Sequence, residues 1–241
     1  AAVYRICADG AANRLFDALS SRGFRDFAEA GPVPMSPSEK GQFVPPNEIV
    51  GDLDSLRPEV RQFFEQRGTQ IVQRPSQYAT DLQKSIQRAE DMEEESGGWL
   101  RGDLLIYGGL SGRFDQTCHT LHVLWQLAEG RNRAWVVNDD SVTWLLPAGE
   151  HDLQMSQRVM GKTCGVLPLG IGVQNGGARV VTNGLRWNLN ADTGTHLGGL
   201  LSTSNHMANE DGIVKLQTDQ PVYWTVELKS DAEIASAKRN L

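Results

Sequence analysis

Short apolar runs alternate with segments of helical period up to about residue 147. The apolar runs predict strands at Tyr4–Ala8, Ile49–Val50, Ile71–Val72, Leu104–Tyr107, Ala134–Val137 and Val142–Leu146. The helical stripes between them carry Leu15, Phe16 and Leu19, then Leu82, Ile86 and Ala89, then Leu121, Leu124 and Leu127. Strands that alternate with helices are typical of a parallel sheet. The pattern therefore predicts a Rossmann-like α/β domain over residues 1–147.

Local signals place several element boundaries in this half. Pro58 suits the opening of a helix, and Thr80 with Gln83 forms the pattern of a capping box. The continuous apolar run Leu104–Tyr107 predicts a buried strand. A Pro- and Ser-containing stretch, Gly31–Pro46, predicts a long surface loop.

The pattern changes from Gly149 onward. Helical periodicity ends, and short β-branched runs are separated by Gly, Asn and Asp; these runs are Val166–Leu167, Arg179–Thr182, Ile213–Leu216 and Val222–Leu228. Such spacing is typical of an all-β sandwich or roll. The second predicted domain is thus a β-sandwich over residues 148–241.

Composition and charge narrow the possible partners. The 241 residues are 39% hydrophobic and 22% charged, with a formal net charge of −7. A negative chain has no broad attraction for nucleic acid or an anionic membrane, so neither is an expected partner. Three widely spaced cysteines predict no disulfide framework, and no apolar run reaches the roughly 20 residues that span a bilayer. These features favour a cytoplasmic protein that handles small molecules.

Acidic residues follow four of the predicted strands. They are Asp9, the pair Asp52 and Asp54, Asp81 and Asp115. Ligands of a parallel α/β sheet gather at the carboxyl ends of its strands. Clustered carboxylates repel one another unless a cation lies between them, and a hard divalent ion is the usual solution. The sequence therefore indicates Mg²⁺ with a bound polyphosphate.

Each acidic residue also has a purely structural interpretation. Asp81 would favour a helix dipole with no metal present, and Asp54 with Ser55 could cap the next helix. A structural role also suits Asp115 considered alone. The metal hypothesis rests on all of them falling at one end of one predicted sheet.

A glycine-rich segment, Gly108–Gly112, lies between a predicted strand and helix. Exposed N–H groups at such a place hold phosphate, and Arg113 beside it could neutralise charge on a transferring phosphoryl group. The segment matches neither the P-loop nor the dinucleotide-binding pattern. His119 and His122 have a metal-compatible spacing, but a structural role is favoured because no third ligand lies nearby in sequence.

Six segments together resemble thiamine pyrophosphokinases of the eukaryotic type. They are Cys7–Arg14, Gly51–Ser55 with Arg57–Val60, Thr80–Asp81 with Lys84, Gly108–Gln116, Gly184–Asn188 and Ser202–Asn205. Each is weak alone, but their order along nearly the whole chain is specific. The resemblance implies an enzyme that transfers the diphosphate of ATP to the hydroxyl of thiamine. It also implies a homodimer with active sites between subunits.

The resemblance assigns roles by position. Mg²⁺ would be held by Asp52, Asp54 and Asp81, which also form the catalytic set. ATP contacts fall on Asp9, Asn13, Arg113, Asp115 and Gln116. Thiamine contacts fall on Gln77, Trp187, Ser202 and Ser204. The family pattern is more acidic than Ser76–Thr80 just before Asp81, and it includes a strand and loop before the position of Tyr4.

Two other functions are weighed against this one. A haloacid-dehalogenase-type phosphatase is suggested by the D-x-D sequence of residues 52–54 and the acidic pair Asp139–Asp140. That motif normally closes the first strand, and Leu56 stands where the phosphatases have Thr or Val. A non-catalytic sensor of thiamine or a nucleotide is the third possibility, and the intact carboxylates argue against it.

Overall fold

A computed structural model describes residues 4–21, 43–98, 101–130, 133–170, 176–192, 194–209, 211–230 and 232–234. The chain divides into two compact units, residues 1–102 and 103–241. Most of the predicted surface loop, residues 31–42, lies outside the described residues. Within the described ranges, no helix has both the length and the apolar character needed to cross a membrane.

Unit 1 is a small α/β unit. Its elements in chain order are β1 (Ile6–Ala8), α1 (Asp9–Ser21), β2 (Glu48–Gly51), α2 (Pro58–Glu65), β3 (Gln70–Gln73) and α3 (Asp81–Glu95). The strands form a parallel sheet in the order β1-β2-β3, in which Ala8 pairs with Val50 and Val50 with Val72. Parallel neighbours need crossover connections, and α2 lies in the crossover from β2 to β3.

The core of unit 1 lies around the central strand. Ala12, Ile49, Val60 and Phe64 are fully buried and pack together. The buried carboxylate of Glu48 on β2 accepts two hydrogen bonds of 2.9 Å from Arg88 on α3. This paired ionic contact fastens α3 to the central strand, so the start of α3 is held close to the end of β2.

Unit 2 contains one long helix and nine strands among its described residues. In chain order they are β4 (Leu104–Tyr107), α4 (Phe114–Gly130), β5 (Ala134–Val137), β6 (Ser141–Leu146), β7 (Gly149–Gln154), β8 (Met160–Leu167), β9 (Val180–Asn183), β10 (Ser202–His206), β11 (Ile213–Thr218) and β12 (Val222–Leu228). Six strands form a mixed sheet in the order β10-β8-β12-β6-β5-β4, and three form an antiparallel sheet in the order β7-β11-β9.

Both sheets of unit 2 contribute to one hydrophobic core. Val166 and Trp224 of the six-stranded sheet are fully buried in the same cluster as Leu153, Val180 and Val214 of the three-stranded sheet. Buried and exposed positions alternate along β11, which is the period of a strand with one face inward. Two sheets therefore enclose a common core in this half of the chain.

The sheet arrangement differs from the predicted one around β4 to β6. The expected single parallel sheet does not continue through residue 147: β4 pairs in parallel with β5, but β5 pairs antiparallel with β6 in the six-stranded sheet. The side chain of Asn138 accepts hydrogen bonds from the backbone of Asp140 and Ser141, which closes a short turn between β5 and β6. So short a connection permits only an antiparallel pair.

The predicted burial of β4 is wrong. Ile106 is buried, but Leu105 is 62% exposed and Tyr107 is 75% exposed. β4 is an edge strand of its sheet, and the side chains of a strand point alternately to opposite faces. An apolar run therefore predicts a strand, but it does not show whether both faces of that strand are buried.

Candidate functional site

Two of the predicted metal ligands lie in the sharp loop that follows β2. Leu53 has a φ of 70°, which is rare for a residue with a branched side chain. The N–H of Asp54 donates to Asp52 Oδ1 over 3.4 Å, and the hydroxyl of Ser55 donates to Asp54 Oδ1 over 2.9 Å. These local contacts hold both carboxylates at the carboxyl end of the central strand.

Asp9 joins these two carboxylates from the neighbouring strand. It follows β1 directly as the first residue of α1, and carboxylate oxygens of Asp9, Asp52 and Asp54 lie within 4.8 Å of one another. Gly51 permits this approach: a Cβ at that position would lie 2.4 Å from the Cβ of Asp9. The prediction that polar strand ends meet is confirmed here for β1 and β2.

The carboxyl group of Asp9 lies in an unfavourable electrostatic environment. Its side chain is fully buried, and among the described residues Oδ1 has no hydrogen-bond partner. Its Oδ2 accepts a long bond of 3.4 Å from the N–H of Ser55. Burial, together with the charges of Asp81 and Asp52, raises the pKa of Asp9 above the usual range.

Asp81 and Lys84 enter the site from the start of α3. The capping box is confirmed: the hydroxyl of Thr80 accepts from the N–H of Gln83, whose side chain accepts from the N–H of Thr80. This fixes Asp81 as the first residue of the helix, and Lys84 lies one turn on, on the same face. Nζ of Lys84 donates to Asp52 Oδ2 over 2.8 Å and to Asp81 Oδ1 over 3.1 Å.

Lys84 is the functional candidate that the sequence argument left without a role. Its side chain is 4% exposed. Burial lowers the pKa of Lys84, but its hydrogen bonds to Asp52 and Asp81 raise the pKa overall. The hydrogen bond from Lys84 in turn holds the pKa of Asp52 below its usual range. The signal in the sequence was the spacing of three residues between Asp81 and Lys84.

Asn13, a predicted ATP contact, lies on α1 and is bonded to the loop after β2. Its side-chain amide donates to the carbonyl of Ser55 over 2.7 Å and accepts from the N–H of Arg57 over 3.2 Å. Arg57 also forms an ion pair with Asp17 on the same helix. These contacts hold the loop against α1. Gln77, a predicted thiamine contact, is exposed in the segment between β3 and α3.

The glycine-rich segment of unit 2 follows β4. Gly108, Gly109 and Gly112 have φ values of 92°, 86° and 84°, which L side chains rarely adopt. Gly109 also packs against α4, because a Cβ there would lie 2.8 Å from Oγ1 of Thr120. The segment thus needs glycine both for its backbone conformation and, at one position, for space.

Three predicted ATP contacts lie at the start of α4. Nε of Arg113 donates to Asp115 Oδ1 over 3.1 Å, and both side chains are well exposed. This pairing lowers the pKa of Asp115. Gln116 is exposed in the first turn of the same helix. All three side chains face solvent in unit 2.

Trp187 lies in a turn of unit 2 and is about half exposed to solvent. It is 53% exposed, the guanidinium carbon of Arg186 lies 4.7 Å from its ring centre, and the ring of His206 lies 5.6 Å away. A partly exposed indole beside a cation and an imidazole offers aromatic surface for stacking.

Asn205 links Trp187 to Ser202, one of the two predicted serines. Its buried amide donates to the carbonyl of Trp187 over 2.8 Å and to Oγ of Ser202 over 3.1 Å, and it accepts from the N–H of Trp187 over 3.3 Å. Ser204, the third predicted residue, is exposed and has a φ of 55°. The structure therefore brings Trp187 and Ser202 together through a residue that the site prediction omitted.

Comparison with known proteins identifies the family. Residues 1–136 match the profile described as "Thiamin pyrophosphokinase, catalytic domain", and residues 150–223 match "Thiamin pyrophosphokinase, vitamin B1 binding domain". Thiamine pyrophosphokinase 3 of Oryza sativa subsp. japonica is 35% identical over 229 residues, covering 93% of this chain and 79% of that protein. The chain belongs to the thiamin pyrophosphokinase family.

Other members of the thiamin pyrophosphokinase family are similar over comparable lengths. Thiamine pyrophosphokinase 2 of Arabidopsis thaliana is 33% identical over 229 residues, which is 93% of this chain and 78% of that protein. The solved thiamin pyrophosphokinase from Candida albicans has a TM-score of 0.72 at 23% identity, covering 93% of this chain and 81% of that one. At that identity the structural match bears on the fold alone.

The two thiamin pyrophosphokinase profiles divide the chain differently from the compact units. The catalytic-domain match extends to residue 136, beyond the boundary at residues 102 and 103, and includes β4, α4 and most of β5. The vitamin B1 binding match begins at residue 150, in β7, and includes Trp187, Ser202 and Ser204. The acidic residues of unit 1 fall within the catalytic match.

The donor set of unit 1 fits a hard divalent cation. Carboxylate oxygens are the ligands that Mg²⁺ prefers, and three carboxylates converge here. One of them has a buried oxygen without a partner among the described residues, Oδ1 of Asp9. A buried unpaired carboxylate oxygen is costly, and a cation would satisfy it. We call Asp9, Asp52, Asp54 and Asp81 the acidic cluster.

Proposed function

We propose that the chain transfers the diphosphate group of ATP to the hydroxyl of thiamine, giving thiamine diphosphate and AMP. The observation that carries the proposal is the convergence of Asp9, Asp52 and Asp54, with a buried unpartnered oxygen, within the region that matches the family's catalytic domain. The names of the relatives support the same reaction.

The proposed reaction is an in-line displacement at the β-phosphorus of ATP. The thiamine oxygen forms a bond to that phosphorus, the bond to the oxygen that bridges to the α-phosphate breaks, and AMP leaves with the electron pair. The hydroxyl proton passes to a carboxylate of the acidic cluster. Asp52, Asp54 and Asp81 would hold Mg²⁺, and Asp9, whose carboxylate converges with those of Asp52 and Asp54, would supply a further oxygen. Bound Mg²⁺ would neutralise charge on the phosphate oxygens.

The remaining site residues would bind and orient the substrates. We propose ATP contacts for Asp9, Asn13, Arg113, Asp115 and Gln116, and thiamine contacts for Gln77, Trp187, Ser202 and Ser204. Arg113 is exposed and supplies positive charge suited to phosphate. Trp187 offers an exposed aromatic face, which attracts a cationic ring such as the thiazolium of thiamine. Most of the rate would come from positioning and charge stabilisation.

Several broader features stay predictions. They are a Rossmann-like catalytic domain over residues 1–147, a thiamine-binding β-sandwich over residues 148–241, a homodimer with active sites between subunits, and a cytoplasmic location. The family profiles at residues 1–136 and 150–223 support a catalytic role for the first half and a thiamine-binding role for the second.

The decisive experiment separates the products of one incubation. The purified protein is mixed with ATP, Mg²⁺ and thiamine, and nucleotides and thiamine esters are resolved by chromatography. Equal amounts of AMP and thiamine diphosphate are expected. ADP with thiamine monophosphate would place the attack at the γ-phosphorus, and inorganic phosphate alone would favour the phosphatase. Bound thiamine without turnover would favour the sensor.

A pair of variants tests the role of the acidic cluster. Asp54→Asn removes one charge from an exposed residue of the cluster and should lower turnover by about 10²-fold or more. Glu65→Gln is the matched control, because it removes an exposed carboxylate of unit 1 that pairs with Arg61 on the surface of α2. An unchanged rate for Asp54→Asn would exclude the proposed metal site.

A further inference from the structure

Lys84 is a buried ammonium group placed between two carboxylates from different elements. Its Nζ lies 2.8 Å from Oδ2 of Asp52, after β2, and 3.1 Å from Oδ1 of Asp81, at the start of α3. Lysine is almost never buried to this extent unless it is paired. Both of its carboxylate partners belong to the acidic cluster.

Attachment of α3 does not require Lys84. One turn further along α3, Arg88 makes two hydrogen bonds of 2.9 Å to the fully buried Glu48 on β2. That pair already fastens the helix to the central strand, and Ile86 adds a buried apolar contact on the same helix. The position of Lys84 therefore needs an explanation beyond helix packing.

The charges of the cluster provide that explanation. The acidic cluster has four carboxylates: Asp9, Asp52 and Asp54 converge, and Asp52 and Asp81 contact the one ammonium group, so the metal-free site carries a net formal charge of about −3. Nζ partly neutralises Asp52 and Asp81 and holds them in place. A divalent cation drawn to the same two carboxylates would be repelled by the ammonium while it stayed there. Ammonium and divalent cation thus compete for Asp52 and Asp81.

We propose that Lys84 is a positioning residue that occupies the cation's place in the metal-free protein, so that a divalent ion binds only by displacing Nζ from Asp52 and Asp81. This proposal rests on the proposed function, because it takes the acidic cluster as the metal site. It follows that the free protein binds the cation weakly, and that the cation binds more readily together with a polyphosphate, whose oxygens accept the displaced ammonium.

The test measures metal binding without turnover. Mn²⁺ is the probe, since carboxylate sites that suit Mg²⁺ also take Mn²⁺ and its free form gives a paramagnetic resonance signal. Lys84→Met removes the charge and keeps an unbranched chain. We expect Mn²⁺ affinity in the absence of ATP to rise about tenfold or more, while Lys84→Arg restores weak binding. Lys215→Met, at an exposed position on β11, is the control and should change nothing.

The outcomes separate this proposal from the proposed function. Unchanged or weaker Mn²⁺ binding by Lys84→Met would overturn it, as would no binding by either protein. If Lys84→Met does not fold, the rate at which Lys84 is acetylated in the wild-type protein is measured instead, with Lys215 as the reference. A faster rate in the presence of Mn²⁺ would support displacement of Nζ. An unchanged or slower rate would overturn the proposal. Tighter Mn²⁺ binding in a protein that forms no AMP would retain this inference and refute the proposed reaction.

Discussion

Replacement of Asp9 by Asn should stabilise the metal-free protein while it removes activity. The carboxylate is fully buried, its Oδ1 has no hydrogen-bond partner among the described residues, and its pKa is raised by burial and by the charges of Asp81 and Asp52. An asparagine keeps the shape and the oxygen that accepts from Ser55 but carries no charge. Its amide donor also lies near carboxylate oxygens of the cluster.

The size of the effect follows from two opposing contributions. An unsatisfied buried polar group costs about 1–3 kcal/mol, and more when it is charged. Asp9 also lies in the first turn of α1, where the helix dipole favours a carboxylate by about 0.3–1 kcal/mol. The upward direction of the pKa shift of Asp9 agrees with a larger unfavourable contribution. We expect Asp9→Asn to gain about 1–2 kcal/mol, or about 2–8 °C in Tm for a chain of this length.

The pH dependence of this gain has a defined sign. Because the folded-state pKa of Asp9 is raised, the penalty is absent where the group is protonated in both states. It grows as pH rises from the ordinary Asp value of about 3.9 to the raised value, and it is constant above that. The advantage of Asp9→Asn should therefore be complete above the raised pKa of Asp9 and shrink as the pH falls towards 4.

The assay is thermal unfolding of both proteins with a chelator and then with saturating Mg²⁺. A ligand at 100 times its Kd stabilises by about 2.7 kcal/mol, so Mg²⁺ should reverse the order and make the wild-type protein the more stable. Asp17→Asn on the same helix is the control, because it removes an exposed carboxylate outside the cluster and should cost about 0–1 kcal/mol. If Asp9→Asn is less stable than the wild type with chelator present, the carboxylate is well accommodated and the reasoning is refuted.

Three further substitutions test other parts of the structure. Gly109→Ala should lower the free energy of unfolding in urea by about 2–4 kcal/mol, because residue 109 has a positive φ and a Cβ there would contact α4. Gly108→Ala is the control, since residue 108 has a positive φ but no such contact. Equal losses of stability in the two variants would refute the role of the contact. Glu48→Gln should cost about 3 kcal/mol, because Arg88 loses its buried ionic partner and keeps only its pair with the exposed Glu95. Replacing both Glu48 and Arg88 with Met should recover most of that loss, and no recovery would refute the pairing argument. Asn205→Ala should raise KM for thiamine about tenfold with less effect on kcat, and an unchanged KM would separate this residue from the thiamine site.

Local signals in the sequence were sufficient for the start of α3 and much of unit 1. The capping box needs only Thr80 and Gln83, which are three residues apart, and both side chains make the expected contacts. The convergence of Asp9 with Asp52 followed from the rule that parallel strands share one carboxyl edge. The capping box depends on short-range geometry, and the meeting of Asp9 with Asp52 depends on one general property of parallel sheets.

Contacts between distant residues were beyond the sequence argument. The bond from Lys84 to Asp52 joins residues 32 positions apart, and that between Asn205 and Trp187 joins residues 18 apart. Each depends on which strands are neighbours and on how a loop turns. The exposure of Leu105 has a similar origin, because an apolar run does not reveal whether other elements cover both faces of its strand.

Neighbouring groups hold the acidic cluster together in the folded chain although its carboxylates repel one another. Gly51 leaves room for the side chain of Asp9, Lys84 neutralises part of the charge, and the buried pair of Glu48 and Arg88 fixes α3 without using any carboxylate of the cluster. Of these three, only Lys84 changes the charge of the cluster, whereas Gly51 and the Glu48–Arg88 pair affect its geometry. A cation can therefore replace the charge of Lys84 while the arrangement of the carboxylates stays the same. Asp9→Asn also relieves the repulsion, but it removes one of the ligands of that cation.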